Sequence, residues 1–252
     1  MKLTKTLIYV SWRIAYSEIL IKYRRSLFGP AWISINMIVT IFALSIVFSN
    51  LFNMEIKNYV PYVFCGLLSW GFISLTIIDS VQLYINGAIK NFNFPVLFFP
   101  LKNTFKNLII FLHNSLIYII ILIAVNKDIL SLNFLYIIIA FPIYILNSVF
   151  ISLSIGLISL RFRDVGQIIT NGVFLIFLVT PVFWDPSILS GKKIIISELN
   201  PLYHLIEIMR QPLLGKVPSY NNYFFSIIAT IINAFLAYIS FKKNFNNKAF
   251  WI

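Results

Sequence analysis

The chain has 252 residues, 60% of them hydrophobic and 11% charged, with a formal net charge of +12. A soluble domain of this size carries about 25% charged residues. Disorder and an ordinary soluble globule are therefore excluded, and a polytopic membrane protein is left. One cysteine, Cys65, excludes an intramolecular disulfide framework and a multi-cysteine zinc site.

Residues 3–25 read as an amphipathic helix. Leu3, Leu7, Val10, Ile14 and Ile21 recur at helical spacing, while Lys2, Lys5, Arg13, Lys22 and Arg24 stay polar. Trp12, Tyr16 and Tyr23 have interfacial chemistry, so the helix is expected to lie on the cytoplasmic leaflet until Gly29-Pro30 breaks it. The first 25 residues hold six basic side chains and no uninterrupted apolar core, which argues against a cleavable signal peptide.

Charge-free runs then set the spans. Residues 26–54, 107–126, 129–160, 165–184 and 217–241 contain no charged side chain, and 58–89 contain only Asp79. A helix needs about 20 residues to cross roughly 30 Å of hydrocarbon. Six spans are expected, at about 31–52, 60–84, 107–126, 132–159, 166–184 and 222–241. The runs are continuously apolar rather than alternating, which disfavours a membrane barrel.

With the N-terminus in the cytoplasm, 14 basic residues fall inside and six outside. Both termini are then cytoplasmic, and the positive charge is a topology signal. It is not a nucleic-acid footprint.

Four stretches depart from plain spans. The loop 86–106 contains Asn86-Gly87, then Pro95 and Pro100 around Val96-Leu97-Phe98-Phe99, and reads as a short surface helix that docks a partner. The turn Arg161-Phe162-Arg163-Asp164 is densely charged. Residues 185–221 hold Pro186, Pro201, Pro212 and Pro218; Asn200-Pro201 reads as a helix start, and two short re-entrant or surface helices fit the segment. Asp79 is the one carboxylate inside an expected span, which makes it a functional candidate; its near neighbours Thr76, Ser80 and Gln82 also offer hydrogen bonds. His113 reads as a packed or interfacial histidine.

Catalytic signatures are missing. No phosphate loop is present: Gly66 and Gly71 have its glycine spacing, but Phe72 follows where a lysine is required. No dinucleotide fingerprint, zinc-protease motif or nucleophile elbow occurs either. The chain reads as a non-enzyme, and uphill transport would draw its energy from another chain or an ion gradient.

The stretch Lys22-Tyr23-Arg24-Arg25-Ser26-Leu27-Phe28-Gly29-Pro30-Ala31-Trp32 resembles a signature of the permease subunits of bacterial polysaccharide ABC exporters, the O-antigen, capsule and teichoic-acid group. Phe28 is an insertion relative to that pattern. Three further stretches are similar in order and spacing: Phe94-Pro95 to Pro100; Arg161-Phe162-Arg163-Asp164-Val165 with Thr180-Pro181-Val182; and Asn200-Pro201-Leu202-Tyr203-His204 with Arg210-Gln211-Pro212-Leu213.

The resemblance implies an all-α polytopic membrane protein, one permease domain over 1–252. It would have six transmembrane helices, an N-terminal interface helix and short external gate helices before the last span. It implies a homodimer in the bacterial inner membrane, two copies of a separate ATPase holding ATP and Mg, and a lipid-linked polysaccharide substrate, with O-antigen favoured. No cofactor is expected on this chain, and its other partners are membrane lipids.

The candidates follow from these roles. Arg24, Arg25 and Tyr23 are candidates for a lipid phosphate. Lys90, Asn91, Phe92, Arg161, Arg163 and Asp164 are candidates for ATPase coupling. Tyr59, Tyr62, Trp70, Asp79, Phe183, Trp184 and Tyr203 are candidates for the channel or gate. The competing classes are an ABC permease for a drug or simple lipid, a secondary transporter, which lacks the paired intramembrane charges it would need, and a membrane transferase, which would need more acids and histidines.

Overall fold

The structure, a computed structural model, describes residues 2–52, 54–84, 95–125, 131–162, 164–188 and 195–244. All regular elements among them are helical. They are α1 (Lys2–Lys22), α2 (Trp32–Leu51), α3 (Ile56–Val81), α4 (Phe98–Val125), α5 (Ile137–Arg161), α6 (Val165–Val179), α7 (Ile195–Glu198), α8 (Pro201–Leu213) and α9 (Tyr220–Asn244), with short 3₁₀ turns between.

Five stretches are long and apolar enough to cross a bilayer: Gly29–Leu51, Ile56–Val81, Phe98–Ile123, Leu132–Arg161 and Tyr220–Lys243. The sixth expected span, 166–184, is divided: its first part is an apolar helix and its last residues are not helical. Helix α6 has 15 residues and stops at Val179, a length of about 22 Å. Pro181 lacks the amide hydrogen a further turn needs and pushes Thr180 out of the helical region. Thr180 is extended, at φ −83° and ψ 133°.

Helix α3 is the hub. It packs against α2, α4, α5, α6 and α8. Its C-terminal half is joined to α4 and α5 by buried polar side chains. Ser80 Oγ donates to Ser152 Oγ at 3.0 Å, Asn103 Nδ2 donates to the same oxygen at 3.0 Å, and Thr104 and Ser148 hydroxyls lie 2.9 Å apart. Thr76/Ser80, Ser148/Ser152 and Asn103/Asn107 each recur at i, i+4, so each helix presents one polar seam. In an apolar medium such interhelical bonds are worth about 0.6–2 kcal/mol each.

The loop expected over 86–106 is also corrected at its described end. Helix α4 begins at Phe98, so 98–106 are its first turns. Pro100 sits in the first turn, where a missing amide hydrogen has no helical partner to lose. Phe98 and Phe99 are buried with Tyr84, Leu157 and Leu160. They belong to the chain's own core and offer no partner surface; Leu97 is exposed.

Helix α1 packs along α4. Ser11 and Ala15 are buried and small, which lets the two backbones approach, and Glu18 pairs with Lys102. Leu7, Val10 and Ile14 pack on the Phe98–Phe99 cluster, so this face of α1 is turned toward the protein, whereas Ile21 is exposed.

Candidate functional site

The end of α6 and the short helices that follow form the most elaborate polar site among the described residues. Residues 180–184 form no regular element; 180–182 are buried and 183–184 half-buried. Backbone carbonyls away from water require partners, and side chains from α3 and α8 supply them. Tyr59 Oη donates to the Phe183 carbonyl at 2.6 Å, and Tyr62 Oη to the Trp184 carbonyl at 3.0 Å. Arg210 donates to the Pro181 carbonyl. Asn200 Nδ2 donates to Thr180 Oγ1 at 2.9 Å. Gly66 lies beneath Val182, where a Cβ would overlap the carbonyl oxygen and stand 3.1 Å from its carbon.

Arg210 is the anchor of this site. It is fully buried, 3.2 Å from Glu207 one helical turn back, and 4.4 Å above the centre of the Tyr62 ring. Gln211 donates to the same carboxylate. The sequence places Glu207 and Arg210 in an external loop; the structure buries both. Helix α8 owes its position to its ends. Asn200 caps it by accepting from Leu202 N–H at 3.0 Å, and Tyr118 Oη donates to the Leu213 carbonyl at 2.6 Å. His204 joins three helices: its ring nitrogens lie 2.9 Å from Asn222 Oδ1 on α9 and 2.7 Å from the Glu198 carbonyl on α7.

The expected channel and gate residues separate into groups. Tyr59, Tyr62, Phe183 and Trp184 are brought together as described. Trp70 packs on Phe177 of α6, with ring centres 5.5 Å apart. Tyr203 sits on α8, half-buried beside His204. Asp79 does not join them. It forms an ion pair with Lys106 at 2.8 Å, a partner beyond the Thr76, Ser80 and Gln82 neighbours the sequence offers. The missed signal was Lys106, which the expected loop boundary had placed outside the helix.

A second feature is polar exposure on apolar helices. Helix α2 buries Ser34, Ile41, Ser45 and Ser49 and turns Asn36 and Thr40 outward. Helix α6 turns Gln167 and Asn171 outward. The side chains of Asn36, Gln167 and Asn171 have no hydrogen-bond partner among the described residues. Both helices pack on α3, whose Leu67, Gly71, Ser74 and Ile78 stay partly exposed. A crevice of about 290 Å³ between α2, α3 and α4 is lined by Asn36, Thr40, Gly71, Asn107 and Asn114 among others.

Tyr23, Arg24 and Arg25 follow α1 and precede α2. Arg24 and Arg25 are exposed, and Arg25 has φ 73°, a left-handed turn conformation. Neither arginine has a partner among the described residues. Leu27 beyond them is 98% exposed. Of the coupling candidates, Arg161 lies 4.9 Å from the Phe162 ring centre and Asp164 is exposed at the start of α6. Lys90, Asn91, Phe92 and Arg163 lie outside the described residues.

The family model for the ABC-2 type transporter matches residues 10–214, most of the chain and every feature just described up to the end of α8. The chain belongs to the ABC-2 type transporter family. It is similar to two proteins of Klebsiella pneumoniae, each named O-antigen export system permease protein RfbA. One is 26% identical over 214 residues, covering 82% of this chain and 81% of the relative; the other is 24% identical over 229 residues, covering 87% of each. A Myxococcus xanthus protein of the same name is 22% identical over 197 residues, covering 75% of this chain and 74% of its own. The chain is thus a transporter membrane subunit.

Proposed function

We propose that this ABC-2 protein is the channel-forming subunit of an ATP-driven polysaccharide exporter in the bacterial inner membrane. It works as a homodimer with two copies of a separate ATPase, which binds ATP and Mg. Its substrate is a lipid-linked polysaccharide of the O-antigen class, and both termini are cytoplasmic. The O-antigen export permeases to which it is similar support the substrate class. The missing phosphate loop supports a separate motor.

The observation that carries the transport reading is the set of unpartnered amides on α2 and α6. An amide facing hydrocarbon is costly, so such residues face a protein partner or a water-filled cavity. In this reading the faces of α2, α3 and α6 line the path, the 180–184 segment and α8 narrow its exit, and Arg24 and Arg25 meet the substrate's phosphate at the inner headgroup layer. Residues 88–97 and 161–165 contact the ATPase.

Cysteine labelling tests the path. With the ATPase co-expressed, cysteines at Asn36 and Asn171 should react with aqueous maleimides, while cysteines at Ile46 and Leu175 should not. Unreactive Asn36 and Asn171 positions beside a reactive Lys216 position would place these faces in lipid and end the reading.

A further inference from the structure

We infer that the polymer carried by this chain is electrically neutral along its length. The inference rests on the path proposed above. Its argument is the chemistry of the faces that line it.

The exposed polar groups there are Asn36, Thr40 and Asn50 on α2 and Gln167, Thr170 and Asn171 on α6. No Asp, Glu, Lys or Arg occurs in residues 26–54 or 165–184, so neither helix brings a charge to the path at any depth. Leu67, Gly71, Ser74 and Ile78 of α3 are uncharged too. Their one nearby charge, Asp79, is cancelled by Lys106 at 2.8 Å.

An amide side chain both donates and accepts hydrogen bonds, and so does a sugar hydroxyl. A row of amides therefore matches a neutral glycan whichever way each ring is turned, and holds no ring too strongly to release it. Phosphodiesters and uronates only accept, and each carries a charge. Moving such an ion through a narrow path costs several kcal/mol per charge unless a cation meets it. Pores that pass anions or phosphate place Arg or Lys around the conduit. Arg24 and Arg25 lie before α2 begins, where they meet a lipid phosphate once per molecule and do not follow the polymer through.

The test uses the polymer itself. The permease gene is deleted in its own host with the ATPase and the sugar-transfer enzymes intact. The glycan accumulating on its lipid carrier is released by mild acid and applied to an anion-exchange column at pH 8. The inference expects the chain to pass unretained, with no phosphate or uronate beyond its reducing end. Retention that disappears after phosphodiester cleavage or after uronate reduction overturns it and leaves the export reading standing. If no polymer accumulates, the export reading fails, and the inference fails with it.

Discussion

Gly66 on α3 and Val182 in the segment after α6 are in such close contact that any side chain at position 66 would overlap the Val182 carbonyl oxygen. This contact sets the depth at which the broken end of α6 lies against α3. It also lets Tyr59 and Tyr62, two turns and one turn before Gly66 on the helix, reach the Phe183 and Trp184 carbonyls. Gly66→Ala should push residues 181–184 off α3. Overpacking of this kind costs about 1–3 kcal/mol, and each lost hydrogen bond about 0.5–1.5 kcal/mol more. A lowered melting temperature in detergent, with normal insertion, is the expected result. Wild-type stability would mean that the segment packs elsewhere.

Arg210 and Glu207 form a buried pair on α8, and removing one partner strands the other. Arg210→Met should cost about 3–5 kcal/mol. It should also raise the reactivity of a cysteine at Asp185 toward impermeant reagents, because the Pro181 carbonyl loses its donor. Arg210→Met combined with Glu207→Gln should recover part of the stability. Full additivity of the two single losses would show that the pair is not coupled.

Much of this architecture is legible in the sequence, and the failures have physical causes. Charge-free runs locate five spans because hydrocarbon excludes charge whatever the fold. Asn200-Pro201 marks the start of α8 because a cap and a first-turn proline act locally. The end of helix α6 is missed because Pro181 interrupts a run that composition alone reads as continuous. The start of α4 fails because a proline in the first turn of a helix looks like a loop boundary. The Asp79–Lys106 pair and the burial of Arg210 depend on which helices meet, which one chain's pattern does not state. The Thr76/Ser80, Asn103/Asn107 and Ser148/Ser152 seams were readable as polar pairs four apart inside apolar helices.

Lipid-facing amides and path-lining amides respond oppositely to leucine. In lipid, Asn36→Leu with Asn171→Leu would leave the protein as stable or more so, with export unchanged. The path reading expects normal insertion and normal pairing with the ATPase, and a severalfold drop in exported polymer. Pulse-labelled surface glycan, compared with the total, measures it.

Arg24 and Arg25 distinguish charge from geometry. Arginine donates two parallel hydrogen bonds to a phosphate, which lysine's point charge does not copy. Arg24→Lys with Arg25→Lys preserves both charges and their attraction to anionic lipid, worth about 1 kcal/mol each. The double variant should insert normally yet leave lipid-linked polymer on the inner face. Export at the wild-type rate would reduce the pair to orientation signals.

The central claim is that this chain moves polymer outward only when a separate ATPase turns over. Its most direct measurement is polymer appearing on the outer face of the inner membrane in cells expressing the permease with its ATPase, with the permease alone, or with an ATPase whose phosphate-loop lysine is replaced. The account predicts outward polymer in the first case and inner-face accumulation in the other two. Equal export with the inactive ATPase would contradict it.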